Sequence, residues 1–528
     1  MVLRSYALMV LKNWKENLYL ISLGAFLVAL PTSIALISIT SVALLVVWFL
    51  TGDYKTKWNR LLQNKSALLI MSIPIVYLIG LCFTNNTPSG LQELNKSLPW
   101  LIFAFVLGSS APISYKATWR LLGVFIFAVS LAAGVALIKL SLLDTIFNFR
   151  KAAWVDHIPF SYQTAFAIWL LLYFIFQKNC SAIQKTLLSL LIATLLIALL
   201  SLKSLNAFLY FGVMTFTALI LLALKTKKRS IRLAYIFGIV LITVLPVYYV
   251  YTCVQKFYTK TEYNENEIDE FTANGNKYVH DFNSKFKENG NYIYLYICEK
   301  ELIPLWNAHS KKQYTDVAPD GDTYGALVLR YMTSKGLRKD SAGFAQLSQK
   351  DIENIEKEIP NYIFAGSKFS IYPRIYETIW EIDRYIITKN PNNKSLAERI
   401  EQAILAIDII KKHIWVGIGL GNNAKAYNDV ILETGSKLEP QKTGWAHNQY
   451  LNYLIRFGVL GTLFILGVIT YVFVKGRKNN PFLLTLFFVS MLVANFGEAN
   501  WETFIGLNYF AFFFCFLMWI TPKEIKEL

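Results

Sequence analysis

The chain has 528 residues, 55% hydrophobic and only 16% charged, which is too apolar and too sparsely charged for a soluble protein of this size. A formal net charge of +17 would fit a nucleic-acid partner, but most Lys and Arg stand in short gaps between apolar stretches, as topology signals do. The five cysteines (Cys82, Cys180, Cys253, Cys298 and Cys515) show neither CxxC nor metal spacing, and only Cys253 and Cys298 are placed to share an external region.

In chain order, the N-terminal thirty residues resemble a signal peptide, with a basic start and a short apolar core. The apolar character runs on to Leu50 without a small-x-small cleavage site, so an uncleaved first hairpin is expected. Twelve spans are expected, at 18–30, 33–50, 66–83, 98–113, 119–142, 158–176, 184–200, 205–224, 231–251, 449–474, 481–497 and 503–521. This is the pattern of an all-α polytopic membrane protein. With a cytoplasmic N-terminus, twenty-one Lys and Arg fall on the inside, against Lys96, Arg150, Lys151 and Lys203 in short outside loops. That bias puts both termini in the cytoplasm and the long hydrophilic stretch 252–446 on the far side. The expected organisation is a membrane bundle over 1–251, a mainly helical external domain over 252–446, and a C-terminal bundle over 447–528.

Within the external stretch, Ser348 and Asp351 form a capping box, and a longer amphipathic helix opens at Ser395. The segment GIGLGN at 417–422 follows a helix rather than a strand, so it is read as a close-packing glycine turn and not as a dinucleotide loop. Asp320-Gly-Asp322 likewise reads as a turn more readily than as a metal-binding DxD. No P-loop, H-E-x-x-H, G-x-S-x-G or Cys/His metal cluster occurs, and the chemistry is expected to run without nucleotide, cofactor or tightly bound metal.

The candidate residues gather at the external face. His447 precedes the tenth span in WAHNQYL; it is either a proton acceptor or part of an interfacial aromatic belt. Asn448, Gln449 and Tyr450 follow it, and Asn448 suits either a site or the N-cap of that span. Lys203, alone in an outside turn, either snorkels or meets an anionic ligand. Arg374 lies among aromatic residues, and Arg399 flanks the stripe of its helix; each suits packing or an anion. Glu498 and Glu502, four apart in the last outside turn, would share a face if that turn is helical, and either assist proton transfer or sit in water.

The glycine turn followed by HNQYLNYLIRFGVLG resembles the C-terminal signature of the O-antigen ligase and polymerase family, and SKGLRKD, YPRIYETIWEID and AERIEQAILA resemble its Bacteroidetes-type branch. The resemblance implies an integral-membrane, GT-C-like glycosyltransferase of the bacterial inner membrane. Its donor would be a glycan on undecaprenyl diphosphate, passed at the periplasmic face to lipid A-core by a ligase or to another glycan by a polymerase. It also implies His447 and Arg399 as essential residues, with Arg399, Lys203 and Arg374 around the diphosphate. Where the resemblance implies a second loop arginine this chain has Lys203, which lacks the bidentate fork. Where it implies a basic residue before the histidine, the chain has Trp445. A transporter or flippase would instead need ionisable residues inside spans and paired broken helices, whereas the expected spans read as nearly free of charge.

Overall fold

The structure, a computed structural model, describes residues 2–142, 153–176, 180–202, 204–259, 268–319, 321–366, 370–442, 444–478 and 481–521. It is almost wholly helical; the strands among these residues are the two-residue antiparallel pair Lys287–Glu288 and Asn291–Tyr292. All five cysteines are free, so Cys253 and Cys298 form no disulfide.

Among the described residues, six helices are long and apolar enough to cross a membrane: Tyr115–Leu140, His157–Ile175, Ala182–Ser201, Leu205–Lys225, Arg229–Tyr258 and Gln449–Gly476. A seventh is reached if Ile34–Leu50 and Tyr54–Gln63, bent by 116°, count as one span. The other expected spans fall on Val2–Ala29 or on shorter helices: Lys65–Leu81, Leu98–Ser109, Phe482–Gly497 and Phe504–Ile520. Except for His157–Ile175, which is mostly buried, the spanning helices carry apolar side chains outward. On Arg229–Tyr258, Phe237 is 63% exposed and Val247 70%, a surface that suits lipid and not water.

The chain divides into two compact units. The first takes in Met1–Leu142, Phe149–Ile242 and Glu398–Leu528. Its centre is the helix Phe504–Cys515, on which every residue from Ile505 to Cys515 is buried. Its phenylalanines pack edge-on, stacked or tilted against Phe26, Phe103, Phe125, Phe166 and Phe487. In lipid the hydrophobic effect does not drive helices together, so such close aromatic contact supplies the cohesion. The 497–503 turn leads straight into this helix and inherits its rigidity. Trp501, 1% exposed, sits 4.8 Å from the Phe510 ring and 6.0 Å from Trp100.

The second unit contains Thr243–Ala397. The capping box at Ser348 and Asp351 is present. Leu302, Trp306, Leu327, Val328, Met332 and Ile355 form its main core, and Cys253, Phe257, Ile375, Tyr376 and Ile379 a smaller one.

The Gln449–Gly476 helix departs from expectation in two ways. It is broken at Gly458, whose φ of +59° and ψ of −167° are open to glycine alone. The glycine turn fills the break. Ile418 N–H donates to Ile455 O at 2.8 Å and Gly419 N–H to Arg456 O at 3.0 Å, while Val459 and Leu460 N–H donate to Ile414 and Trp415 O. The peptide groups freed by the break are thus satisfied by protein, as a membrane interior requires. The approach is possible only for glycine: a Cβ on Gly417 would lie 2.4 Å from the Arg456 carbonyl carbon, and one on Gly421 2.6 Å from Gly90 N. The second departure is Arg456, 3% exposed within this spanning helix, so the reading of the spans as nearly free of charge fails here.

Candidate active site

Asn448 starts the construction. Its backbone is extended, and its Oδ1 accepts from Tyr450 N at 3.0 Å and Leu451 N at 3.1 Å, capping the Gln449–Gly476 helix. Its Nδ2 donates to Phe496 O at 3.0 Å. Gln449, fully buried, donates to Glu502 Oε1 at 3.1 Å and accepts from Trp501 N at 2.8 Å. Tyr450 donates to Leu492 O at 2.6 Å and lays its ring 4.6 Å from Phe496. All three residues after the histidine therefore bind the helix start to the 492–502 segment.

His447 has a φ of +43°, an uncommon backbone state for a residue with a side chain. Its Nδ1 lies 2.8 Å from Glu498 Oε1. The Trp445 indole N–H, which can only donate, reaches its Nε2 at 3.1 Å. Together these contacts fit one neutral tautomer, with the proton on Nδ1 and the lone pair on Nε2. The ring is 24% exposed.

Arg399, on the Ser395–Lys412 helix, donates from Nη1 to Gly497 O at 2.8 Å and from Nη2 to Glu498 Oε2 at 2.9 Å. Glu498 is thus held by the imidazole on one oxygen and the guanidinium on the other. Burial pushes its carboxyl up, but the hydrogen bond from His447 and the charge of Arg399 outweigh burial and leave it below its ordinary value. The guanidinium is 28% exposed, and its five-donor fork has donors beyond the two used here.

Glu498 and Glu502 do not share a helix face. The Pro481–Gly497 helix ends before them and a 3-10 turn, Asn500–Glu502, follows, so the two carboxylates enter separate networks. Both are buried rather than solvated, at 8% and 4% exposure. Glu502 meets the Arg456 guanidinium, which also faces Glu93 at 3.1 and 3.2 Å. Glu93 in turn accepts from Gly421 N at 3.2 Å. Arg456 thereby ties together the helix break, the glycine turn and the 497–502 segment. Sequence reading missed it because it is a single charge in an apolar run; the signal was its position two residues before Gly458.

Arg374 belongs to the second unit and pairs with Glu377 at 2.5 Å on its own helix. Lys203, Arg150, Lys151 and Asp320 lie outside the described residues. Asn206, three residues beyond Lys203, packs so closely on Gly497 that a Cβ there would lie 2.2 Å from its Oδ1. Among the described residues, no group of three His, Cys, Asp or Glu side chains is arranged to hold a metal ion.

No curated protein matches the chain. Residues 361–466, about a fifth of the sequence, match the family model described as O-antigen ligase. The match takes in Arg374, Arg399, the glycine turn, Trp445, His447 to Tyr450 and Arg456, while Glu498 and Glu502 fall beyond it. Residues 361–466 are thus similar to the O-antigen ligase family, within a helical protein whose apolar helices are of membrane type.

Proposed function

We propose that the protein is a glycosyltransferase that moves a glycan from undecaprenyl diphosphate to an acceptor sugar hydroxyl at the periplasmic face of the inner membrane, as an O-antigen ligase acting on lipid A-core. The observation that carries this reading is the Arg399–Glu498–His447 chain of contacts beside the start of a spanning helix. The family match supports the ligase and polymerase class of chemistry.

In this mechanism the acceptor oxygen attacks the anomeric carbon as its proton passes to His447 Nε2. The bond between that carbon and the diphosphate oxygen breaks, and the leaving diphosphate keeps the electron pair. A single displacement inverts the anomeric centre. Glu498 holds the imidazole in the tautomer that leaves Nε2 free to accept, and steadies the imidazolium that forms. Arg399 answers the charge that develops on the leaving diphosphate. Lys203 would add a second cation, and Asn206, three residues further along the chain, packs on Gly497, whose carbonyl Arg399 holds. Arg374, paired within its own helix, is the weaker member of the proposed diphosphate set.

The test uses purified full-length protein with lipid-diphosphate-linked glycan and acceptor. His447→Ala and Arg399→Ala should each abolish release of the lipid diphosphate at unchanged protein level; normal turnover by His447→Ala removes the histidine from the mechanism. A polymerase would use the same donor and chemistry. A deletion strain separates the two: full-length glycan stranded on the carrier marks a ligase, and single repeats on the acceptor mark a polymerase. A lipid-linked glycan transporter is the reading that the broken helix and Arg456 favour. It predicts no release of lipid diphosphate in the purified assay.

A further inference from the structure

We propose that Trp445 is a gate on the imidazole and part of the acceptor subsite: its indole N–H occupies the place that the acceptor hydroxyl must take. The inference rests on the reading of His447 as the base. Trp445 Nε1 donates to His447 Nε2 at 3.1 Å, while Glu498 holds Nδ1 at 2.8 Å. The one lone pair able to take a proton from substrate is therefore already capped. A substrate O–H would approach along the same direction and at a similar distance, so indole and acceptor exclude one another.

The contact is built to be given up. The two rings meet edge to face at a centroid distance of 5.8 Å and an angle of 77°, and Trp445 is 41% exposed, so releasing the indole opens no core. The backbone on either side is held, with Gly444 O accepting from Asn423 Nδ2 at 3.0 Å and Ala446 N–H donating to Asn452 Oδ1 at 2.9 Å, so the indole leaves by rotation of its own side chain. Once displaced, the indole presents a broad flat apolar face beside the histidine. A pyranose ring has the matching chemistry: a hydroxyl to reach Nε2 and a face of C–H bonds to lie on the indole. The ligand class is thus a glycan acceptor. The cap has a second effect: with Nε2 covered, water is not activated, and the donor is spared hydrolysis until an acceptor arrives.

The test compares wild type with Trp445→Phe, which keeps a ring and loses the donor, and with Trp445→Ala, all full length in lipid nanodiscs. Diethyl pyrocarbonate modifies unprotonated imidazole nitrogen whatever the protein's activity, and mass spectrometry reads it at the His447 peptide with the other four histidines as reference. Trp445→Phe should modify His447 about fivefold faster, the factor that one ordinary hydrogen bond contributes. With donor present, the ratio of hydrolysis to transfer should rise in both variants, and acceptor KM should rise about tenfold in Trp445→Ala while kcat is kept. Equal modification of His447 in wild type and Trp445→Phe, with inactive His447→Ala, overturns the gate alone. Transfer by folded His447→Ala overturns the base and the gate with it.

Discussion

Replacing Glu498 by Gln is the sharpest perturbation of the site, because it keeps the shape and removes the charge. The native carboxylate accepts from His447 Nδ1 at 2.8 Å, Arg399 Nη2 at 2.9 Å and Ala499 N at 3.3 Å. An amide has one acceptor oxygen, so either the imidazole or the guanidinium must then face an N–H donor. One charge-assisted hydrogen bond is worth about 2 kcal/mol, and its loss predicts a roughly thirtyfold fall in kcat/KM. The assay is release of lipid diphosphate from a glycan donor, with acceptor saturating and protein level matched. The pH dependence follows from the lowered carboxyl of Glu498. Its folded value lies below the ordinary 4.5, so its contribution to stability is complete above that pH and fades as pH falls through the folded value. The stability difference between wild type and Glu498→Gln should be flat at neutral pH and narrow in acid. Turnover by Glu498→Gln within threefold of wild type would refute the idea that the carboxylate orients the imidazole.

Three other outcomes follow from the structure. Arg456→Met leaves Glu502 and Glu93 buried without their cation and should cost about 3–5 kcal/mol, read as a drop in Tm of the detergent-solubilised protein; an unchanged Tm would mean the network is idle. Gly417→Ala should lower the yield of folded protein severely, since its Cβ would meet the Arg456 carbonyl, whereas Gly275→Ala, at a similar positive φ of +77° but with no neighbour within 4 Å, carries the backbone strain alone and should be milder in size-exclusion profiles. Lys339, buried in the second unit with Nζ on Leu295 O at 2.8 Å, has its pKa lowered by burial, against the charge of Asp340, to about 7. Between about 7 and the ordinary 10.5 the unfolded chain holds a proton that the folded chain does not, so stability rises with pH across that window. Lys339→Met should remove this slope from melting curves recorded across that range, and identical slopes would contradict it.

The all-helical membrane character was legible because long apolar runs have one physical solution in lipid. The span count was less so. Phe482–Gly497 and Phe504–Ile520 are predominantly apolar yet short, and neither composition nor charge bias reports helix length. In the site, Asn448 as a cap could be read locally, because a cap is a relation between neighbours. The partnership of His447 with Glu498 spans 51 residues and leaves no local trace. The spacing of Glu498 and Glu502 misled for a definite reason: a four-residue interval places two side chains together only if the helix continues, and Gly497 ends it. GIGLGN was recognisable as a place of close approach, but its partner was hidden, because Gly458 breaks a helix without interrupting its apolar run.

The reciprocal main-chain bonding across that break has a mechanical outcome. The helix bearing Arg399 runs into the segment 414–419, which is stitched to 455–460 of the helix that follows His447 by four peptide hydrogen bonds. Sliding one helix against the other would sever all four, so guanidinium and imidazole travel as a single body. If the proposed lipid-linked donor is the substrate, room for it must then come from elements outside this welded pair.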